Sequence, residues 1–423
     1  MDGLAIRHTY RPQMVRQMAT IAVLGTLDSK GHEHQFLAAC IREHGHEPLL
    51  IDVGTGDAPQ VAPDISRDEV ASAGDFDLAA VMARKDRGEC VSAMTQAAPK
   101  LLSQLQKDGR IDGIISLGGG GGTAIATAAM RALPVGFPKV MVSTLASGNT
   151  AHYVGTKDIT MIPSIVDVAG LNRISKTIFS RAAGAVCGMV DAKVASDDDR
   201  PLIVASMFGN TTDCVNAAIP LLENAGYEVL VFHATGAGGR AMESLIESGM
   251  VAGVLDITTT EWADELVGGV LSAGSERLDA AGKAGVPAIV SPGCLDMVNF
   301  GERDSVPAKF ANRTFYIHNP QVTLMRTSPA ECRELGRMIA RKLNAYTAPV
   351  SVLIPRKAIS VICAEGQPFH DPEADEALFE SLTSELRDDI EVRWMECEIN
   401  DTVFAKACAE VLLKNIQNSA VTR

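Results

Sequence analysis

The chain has 423 residues, 46% of them hydrophobic, 21% charged and only 4% aromatic, with a net charge of −14. That length exceeds what one core normally organises and predicts two or three domains, two being the simplest count. The acidic balance, the pI near 5.1 and the lack of a basic stripe interleaved with aromatics exclude a large phosphate-backbone footprint, so nucleic acid is not an expected partner.

In chain order, residues 1–19 carry Arg7, Arg11 and Arg16 against Asp2 and lack the apolar stretch of a secretory signal, so they read as an N-terminal tail. A first domain is expected over residues 20–196. Its apolar runs predict strands near residues 20–24, 47–53, 113–117 and 139–143. Helical spacing follows near 33–44, 79–108 with a break, 123–133 and 165–181. Strands that are apolar throughout, rather than alternating, predict a parallel sheet covered on both faces.

A second domain, residues 200–423, repeats this plan. "IAVLGTLDSKG" and "EHGHEPLLIDVGTG" correspond to "LIVASMFGNTTD" and "ENAGYEVLVFHATGAGG"; "IDGIISLGGGGG" and "FPKVMVSTLASGN" correspond to "VAGVLDITTTEWA" and "VPAIVSPGCLDMVN", in the same order. The expected fold class is therefore α/β: two Rossmann-like doubly wound parallel-sheet domains in tandem, joined near "ASDDDRP" at residues 195–201, with a cleft between them. Beyond Tyr346, "SVLIP" and "ISVIC" predict two further strands and residues 404–417 a closing helix. No apolar run approaches the ~18 residues of a membrane span, so no membrane partner is expected. The nine cysteines are scattered and never spaced as C-x-x-C, which fits reduced thiols and a cytoplasmic location.

The segment "SLGGGGGT" places Gly118, Gly119, Gly120, Gly121 and Gly122 between a strand and a helix. Bare backbone there can approach a ligand closely, and the helix head offers unpaired N–H groups to an anion, phosphate being the natural guest. Thr123 can cap that helix or give a hydroxyl to a phosphate oxygen. A tight turn without a ligand is the plainer reading, but five glycines cost chain entropy and need another return. The run is not a Walker A loop, because Gly122 rather than lysine precedes Thr123. Nor is it a dinucleotide fingerprint, because the next strand ends in Ser143 and Thr144 rather than an acid.

Other turns offer partners. "LGTLDSKG" supplies Gly25 for a bend, Thr26 and Ser29 as hydroxyls, Asp28 to hold a metal or orient an attacking group, and Lys30 as a charge for phosphate. Its plainer reading is a helix cap and a solvated lysine. Ser147, Gly148 and Asn149 follow a later strand, and Gly238, Gly239 and Arg240 form a glycine turn in the second half. Cys294 is a candidate nucleophile with His318 as its base, although a buried inert thiol is the default. Thr258, Thr259 and Thr260 lead into Glu261, Asp264 and Glu265, placed to cap a helix or, alternatively, to meet magnesium. His32, His34, His44 and His46 lack metal-ligand spacing.

Taken in order, "IAVLGTLDSKG", "SLGGGGGTAIA", "STLASGNT", "MIPSIVDVAGLNRIS", "HATGAGGRAME", "SPGCLDMVNF" and "HNPQVTLMRT" resemble the family typified by the N-terminal ATP-binding domain of the tomato mosaic virus resistance protein. The resemblance implies two Rossmann-like subdomains binding ATP between them and a homodimer or higher homo-oligomer, with no settled reaction. Carried onto this sequence, nucleotide binding falls on the five glycines with Thr123, on Gly25, Thr26, Asp28 and Lys30, on Ser147, Gly148 and Asn149, and on Gly238, Gly239 and Arg240. The expected function is ATP binding with Mg²⁺, with hydrolysis or transfer to a small metabolite. One alternative is an ATP-set regulatory or interaction module without turnover. Another is an enzyme acting on a carboxylate or sugar acid through Arg240, Cys294 and His318.

Overall fold

The computed structural model describes residues 18–192 and 199–421. Most of the expected N-terminal tail and the centre of the expected domain junction lie outside these residues. The chain divides into two compact units, Met1–Ala195 and Ser196–Arg423.

The first unit runs β1 (Thr20–Gly25), α1 (Leu27–Glu43), β2 (Glu47–Asp52), α2 (Arg67–Ala73), α3 (Leu78–Ala83), α4 (Arg87–Lys107), β3 (Gly113–Gly118), α5 (Gly120–Arg131), β4 (Lys139–Ser143), α6 (Ala151–Val154), β5 (Thr160–Pro163) and α7 (Arg173–Asp191). Its five strands are parallel in the order β2-β1-β3-β4-β5. Alternate strand residues serve opposite faces. Ile21, Val23, Ile115 and Leu117 join Leu37, Ile41 and Phe179 of α1 and α7 on one side. Ala22, Leu24 and Ile114 join Met94, Leu102, Ile125 and Ala129 of α4 and α5 on the other. Both faces being covered is why the strand segments read as unbroken apolar runs.

Several boundaries differ from the sequence reading, each for a local reason. Helix α1 starts at Leu27 rather than near residue 33, because Asp52 at the end of β2 accepts the Leu27 N–H at 3.0 Å and caps the helix from outside its own sequence. The last helix of the unit starts at Arg173 rather than near residue 165, because Asn172 accepts from the Ile174 and Ser175 amides at 2.9 and 3.0 Å. The long helical stretch expected over residues 79–108 is indeed broken, into α3 and α4.

The second unit comprises β6 (Leu202–Met207), α8 (Thr212–Asn224), β7 (Glu228–His233), α9 (Ala237–Glu247), β8 (Val251–Thr258), α10 (Glu261–Val267), α11 (Ala280–Ala284), β9 (Ala288–Gly293), β10 (Met297–Phe300), β11 (Phe315–Asn319), β12 (Val322–Arg326), α12 (Pro329–Asn344), β13 (Val350–Pro355), α13 (Pro372–Ser384), β14 (Glu391–Met395) and α14 (Thr402–Val421). Six strands form a parallel sheet, β14-β13-β9-β8-β6-β7, and β10-β12-β11 form a small antiparallel one. Read from β7, the large sheet winds as the first unit does, so the repeated plan seen in the sequence is a repeated fold: two Rossmann-like parallel-sheet units in tandem. "SVLIP" is strand β13 as expected. "ISVIC" is not a strand: the Ser360 side chain accepts from the Cys363 N–H at 3.1 Å and closes residues Val361–Cys363 into a 3-10 turn.

Candidate functional site

In each sheet the chain leaves its first strand in one direction and returns on the other side, and ligands in open α/β sheets bind at the carboxyl ends of the strands flanking that reversal. In the first unit the reversal lies between β1 and β3. A cleft of about 680 Å³ opens there, lined by Thr26, Asp28, Ser29 and Lys30 after β1, by Gly119, Gly120, Gly121 and Gly122 after β3, by Thr55 and Gly56 after β2, and by Met82, Lys85, Asp86, Arg87, Cys90 and Val91 around the head of α4.

Gly118 ends β3, Gly119 is the extended N-cap of α5, and Gly120, Gly121 and Gly122 form the first turn of the helix. Helix bonding begins with the Thr123 N–H donating to the Gly119 carbonyl at 2.9 Å. The amides of Gly120, Gly121 and Gly122 precede that ladder, and among the described residues no group of the chain accepts from them. Nor does the fold itself need most of these glycines. None of the five has a positive φ. A β-carbon on Gly118 would meet the Gly122 Cα at 3.2 Å, a genuine close approach, but one on Gly120 would meet nothing within 4 Å. On Gly119, Gly121 and Gly122 it would make only ordinary contacts of 3.5 Å or more. Thr123 turns away from the cleft: its hydroxyl shares a 2.7 Å hydrogen bond with Ser143 in the core.

The head of α1 is built differently. Gly25 stands where it does because the buried His34 ring lies on its backbone; a β-carbon there would fall 2.1 Å from His34 Nε2. Burial lowers the His34 pKa to about 4, so the ring is neutral at ordinary pH. The Lys30 ammonium donates to the Val168 carbonyl, which ties one of its three donors to the protein. Asp28 accepts the Gly56 N–H at 2.6 Å and holds the turn after β2 against α1. Ser147, Gly148 and Asn149 are exposed, away from the lining of the cleft, and Asn149 accepts the Ala151 N–H at 3.1 Å.

Sequence reasoning missed the cationic wall. Lys85 and Arg87 line the cleft, and Arg87 Nη2 lies 3.9 Å from where a Gly121 β-carbon would be. Among the described residues neither cation has an ion-pair partner, whereas neighbouring Arg84 and Lys100 are paired with Glu89 and Asp75. Their positions in the helical stretch gave no signal, because only the fold of α4 onto α5 brings them to the glycines.

The second unit fills the glycine turn that follows its strand β7. The amides of Gly236 and Gly239, at the head of α9, donate to Glu261 Oε1 at 2.7 and 3.1 Å. Glu261 Oε2 accepts from the Arg277 Nε at 2.8 Å. Arg277, 1% exposed, also grips Asp256 through two hydrogen bonds of 2.6 and 2.7 Å and Glu243 at 3.1 Å. Burial opposes its charge, but these three carboxylates keep Arg277 protonated. The turn at Gly238, Gly239 and Arg240 therefore holds the protein's own carboxylate where an outside anion was expected, and Arg240 donates to the Ser272 carbonyl. Cys294 is fully buried, and burial with the nearby Asp296 pushes its thiol well above the usual range, while His318 is exposed on β11. A thiolate nucleophile is not available there.

Fold and geometry together define a tandem Rossmann-like α/β protein with one open, glycine-headed cleft in its first unit. The chain belongs to the Uncharacterised protein family (UPF0261): the family's N-terminal domain matches residues 19–195 and its C-terminal domain residues 200–416. A UPF0261 protein of Clostridium tetani is 51% identical over 94% of this chain and 99% of its own length. The ToMV resistance protein Tm-1(GCR237) of Solanum lycopersicum is 43% identical over 78% of this chain, a match spanning 45% of the tomato protein. Among solved structures, the glycosyltransferase SnogD of Streptomyces nogalater aligns over 94% of this chain and all of its own at 11% identity with a TM-score of 0.22, a likeness that says nothing about function. No helix among the described residues is long and apolar enough to cross a membrane.

Proposed function

We propose that the cleft of the first unit binds a phosphate-bearing small molecule, with the amides of Gly120, Gly121 and Gly122 on the phosphate oxygens and Lys85 and Arg87 facing them. The observation that supports this most is the clearance at α5. Three glycines in the first turn of α5 each cost up to about 1 kcal/mol of helix propensity, and the surrounding protein makes no use of the space they leave. An anion on that helix head would use both the bare amides and the partial positive charge of the helix. A cleft of about 680 Å³ has room for more than inorganic phosphate.

Within that class we take ATP as the ligand, on the strength of the ordered motifs described above, with Mg²⁺ as its counter-ion and a homo-oligomer as the working assembly. Turnover, by hydrolysis or transfer to a small metabolite, is one form of the proposal; a nucleotide-set module without turnover is the other. The reading through Arg240, Cys294 and His318 has no support, because the first is bound to a carbonyl and the second is sealed in the core.

Equilibrium titration of the full chain with labelled ATP tests the proposal. Saturable binding with Kd below about 1 mM, an affinity of at least about 4 kcal/mol, is expected, and Gly120→Asp should abolish it by placing a carboxylate on the amides. A wild-type chain that shows no saturation removes the proposal. Phosphate release followed over hours then separates an enzyme from a switch.

A further inference from the structure

The turn after β2, "DVGTG" from Asp52 to Gly56, closes on two carboxylates that the mechanism above leaves unused. Asp28 presents Oδ2 to the Gly56 amide at 2.6 Å, and Asp52 presents Oδ1 to the amides of Leu27 and Gly54 at 3.0 and 2.8 Å. The turn is shaped for these acids: a β-carbon on Gly54 would lie 2.7 Å from the Asp28 Cγ, and one on Gly56 2.9 Å from its Oδ2. Each acid has one oxygen left over. Asp28 Oδ1 and Asp52 Oδ2 are both buried and, among the described residues, without a hydrogen-bond partner. Asp52 itself is 1% exposed.

A buried carboxylate oxygen with no donor is costly, and two beside one turn call for a compensating charge. A nearby cation, Arg67, favours ionised Asp52 from a distance but does not reach either free oxygen. Among the described residues neither acid forms an ion pair; Arg67 spends its guanidinium on the carbonyls of Gly56 and Asp57, and Lys30 donates to the Val168 carbonyl. Asp28 lines the same cleft as the α5 glycines, so a cation held here would stand beside the phosphates of the ligand proposed above.

We infer that Asp28 and Asp52 hold a divalent cation, Mg²⁺ by preference, through the two unpartnered oxygens. Mg²⁺ commonly takes one or two protein carboxylates and completes its shell with water and substrate phosphate, whereas Ca²⁺ takes six to eight oxygens, more than this turn provides. The inference extends the phosphate reading of the cleft, but its test needs no nucleotide. The full chain is titrated with Mn²⁺ alone, bound and free ion being distinguished by electron paramagnetic resonance, with Mg²⁺ as competitor. One ion per chain is expected. Asp28→Asn, which leaves the Asp52 cap on α1 in place, should weaken Mn²⁺ by more than the roughly tenfold that losing an outer-shell partner costs. Gly54→Ala keeps both acids but forces the Asp28 carboxyl aside, and should weaken Mn²⁺ in the same direction. A wild-type chain that takes up no Mn²⁺, or folded Asp28→Asn and Gly54→Ala proteins that bind it as tightly as wild type, overturns the inference. Mn²⁺ uptake without ATP binding would keep the cation site and remove the nucleotide; ATP binding without Mn²⁺ uptake would do the reverse.

Discussion

Two helices of this molecule begin on glycine turns at the carboxyl ends of parallel sheets, and they are used in opposite ways. At α9 the turn is full: Glu261 accepts from Gly236 and Gly239, and Arg277 holds Glu261 in place. The glycines there are obligatory, since a β-carbon on Gly239 would fall 2.2 Å from the Glu261 carboxylate and one on Gly238 1.8 Å from the His233 carbonyl. At α5 the turn is bare, and only Gly118 is required by its neighbours. The repeat alignment sharpens the contrast, because "ITTTEWA" stands in the second unit where "LGGGGG" stands in the first. The head of α9 carries the protein's own anion; the head of α5 is left open for a foreign one.

The largest effect should come from emptying the filled turn. Glu261→Ala removes the acceptor of two amides and one of three carboxylates on Arg277, so the second unit should lose about 3–5 kcal/mol, the usual cost of breaking a buried charge network. Denaturant unfolding of the full chain measures it. A loss under about 1 kcal/mol would mean that Glu261 is an ornament on the turn and that the contrast between the two helix heads is false.

The next test exchanges the glycines. Gly239→Ala should destabilise by about 1–3 kcal/mol, the cost of forcing a methyl into occupied space. Gly120→Ala should leave stability unchanged or raise it by up to about 1 kcal/mol through helix propensity, while reducing affinity for the cleft's ligand. If Gly120→Ala proved as damaging as Gly239→Ala, the open turn would owe its glycines to folding.

The sequence made the sheets legible because β1, β2, β3 and β4 are buried on both faces and show as apolar runs. It concealed β5, four half-buried residues ending in Pro163, and β14, whose edge position leaves Trp394 partly exposed and its pattern mixed. The site divides in the same way. The glycine run announces itself by composition alone. Lys85 and Arg87 do not, since nothing along the chain says that the head of α4 will meet the head of α5. Glu261 is the instructive case: a carboxylate at a helix start was expected to cap that helix, and it does cap one, but the neighbour, α9. Capping chemistry is local in kind, whereas the choice of partner is tertiary. Asp52 hides for the same reason, as an acid at a strand end whose turn glycines only make sense once Asp28 is beside them.

The smallest effects expected are in pH dependence, and they too separate the units. In the first, burial lowers His34 from 6.5 to about 4. The unfolded chain takes up that proton near 6.5 and the folded chain does not, so stability is lost as pH falls through this window. In the second, burial raises Asp264 from 3.8 to about 7 and Asp375 from 3.8 to about 6. There the folded state keeps protons that the unfolded state has released, so stability is present at lower pH and is lost as pH rises towards 7. Each group can contribute at most about 1.4 kcal/mol per pH unit inside its window. Hydrogen exchange resolved by peptide should therefore show the second unit loosening as pH rises from about 4 to about 7, while the first loosens as pH falls from about 6.5 to about 4. Asp264→Asn should flatten the first of these slopes and leave the second alone; an unchanged slope in that variant would mean that the Asn299 amides, which donate to the Asp264 carboxylate at 2.7 Å, keep it ionised after all.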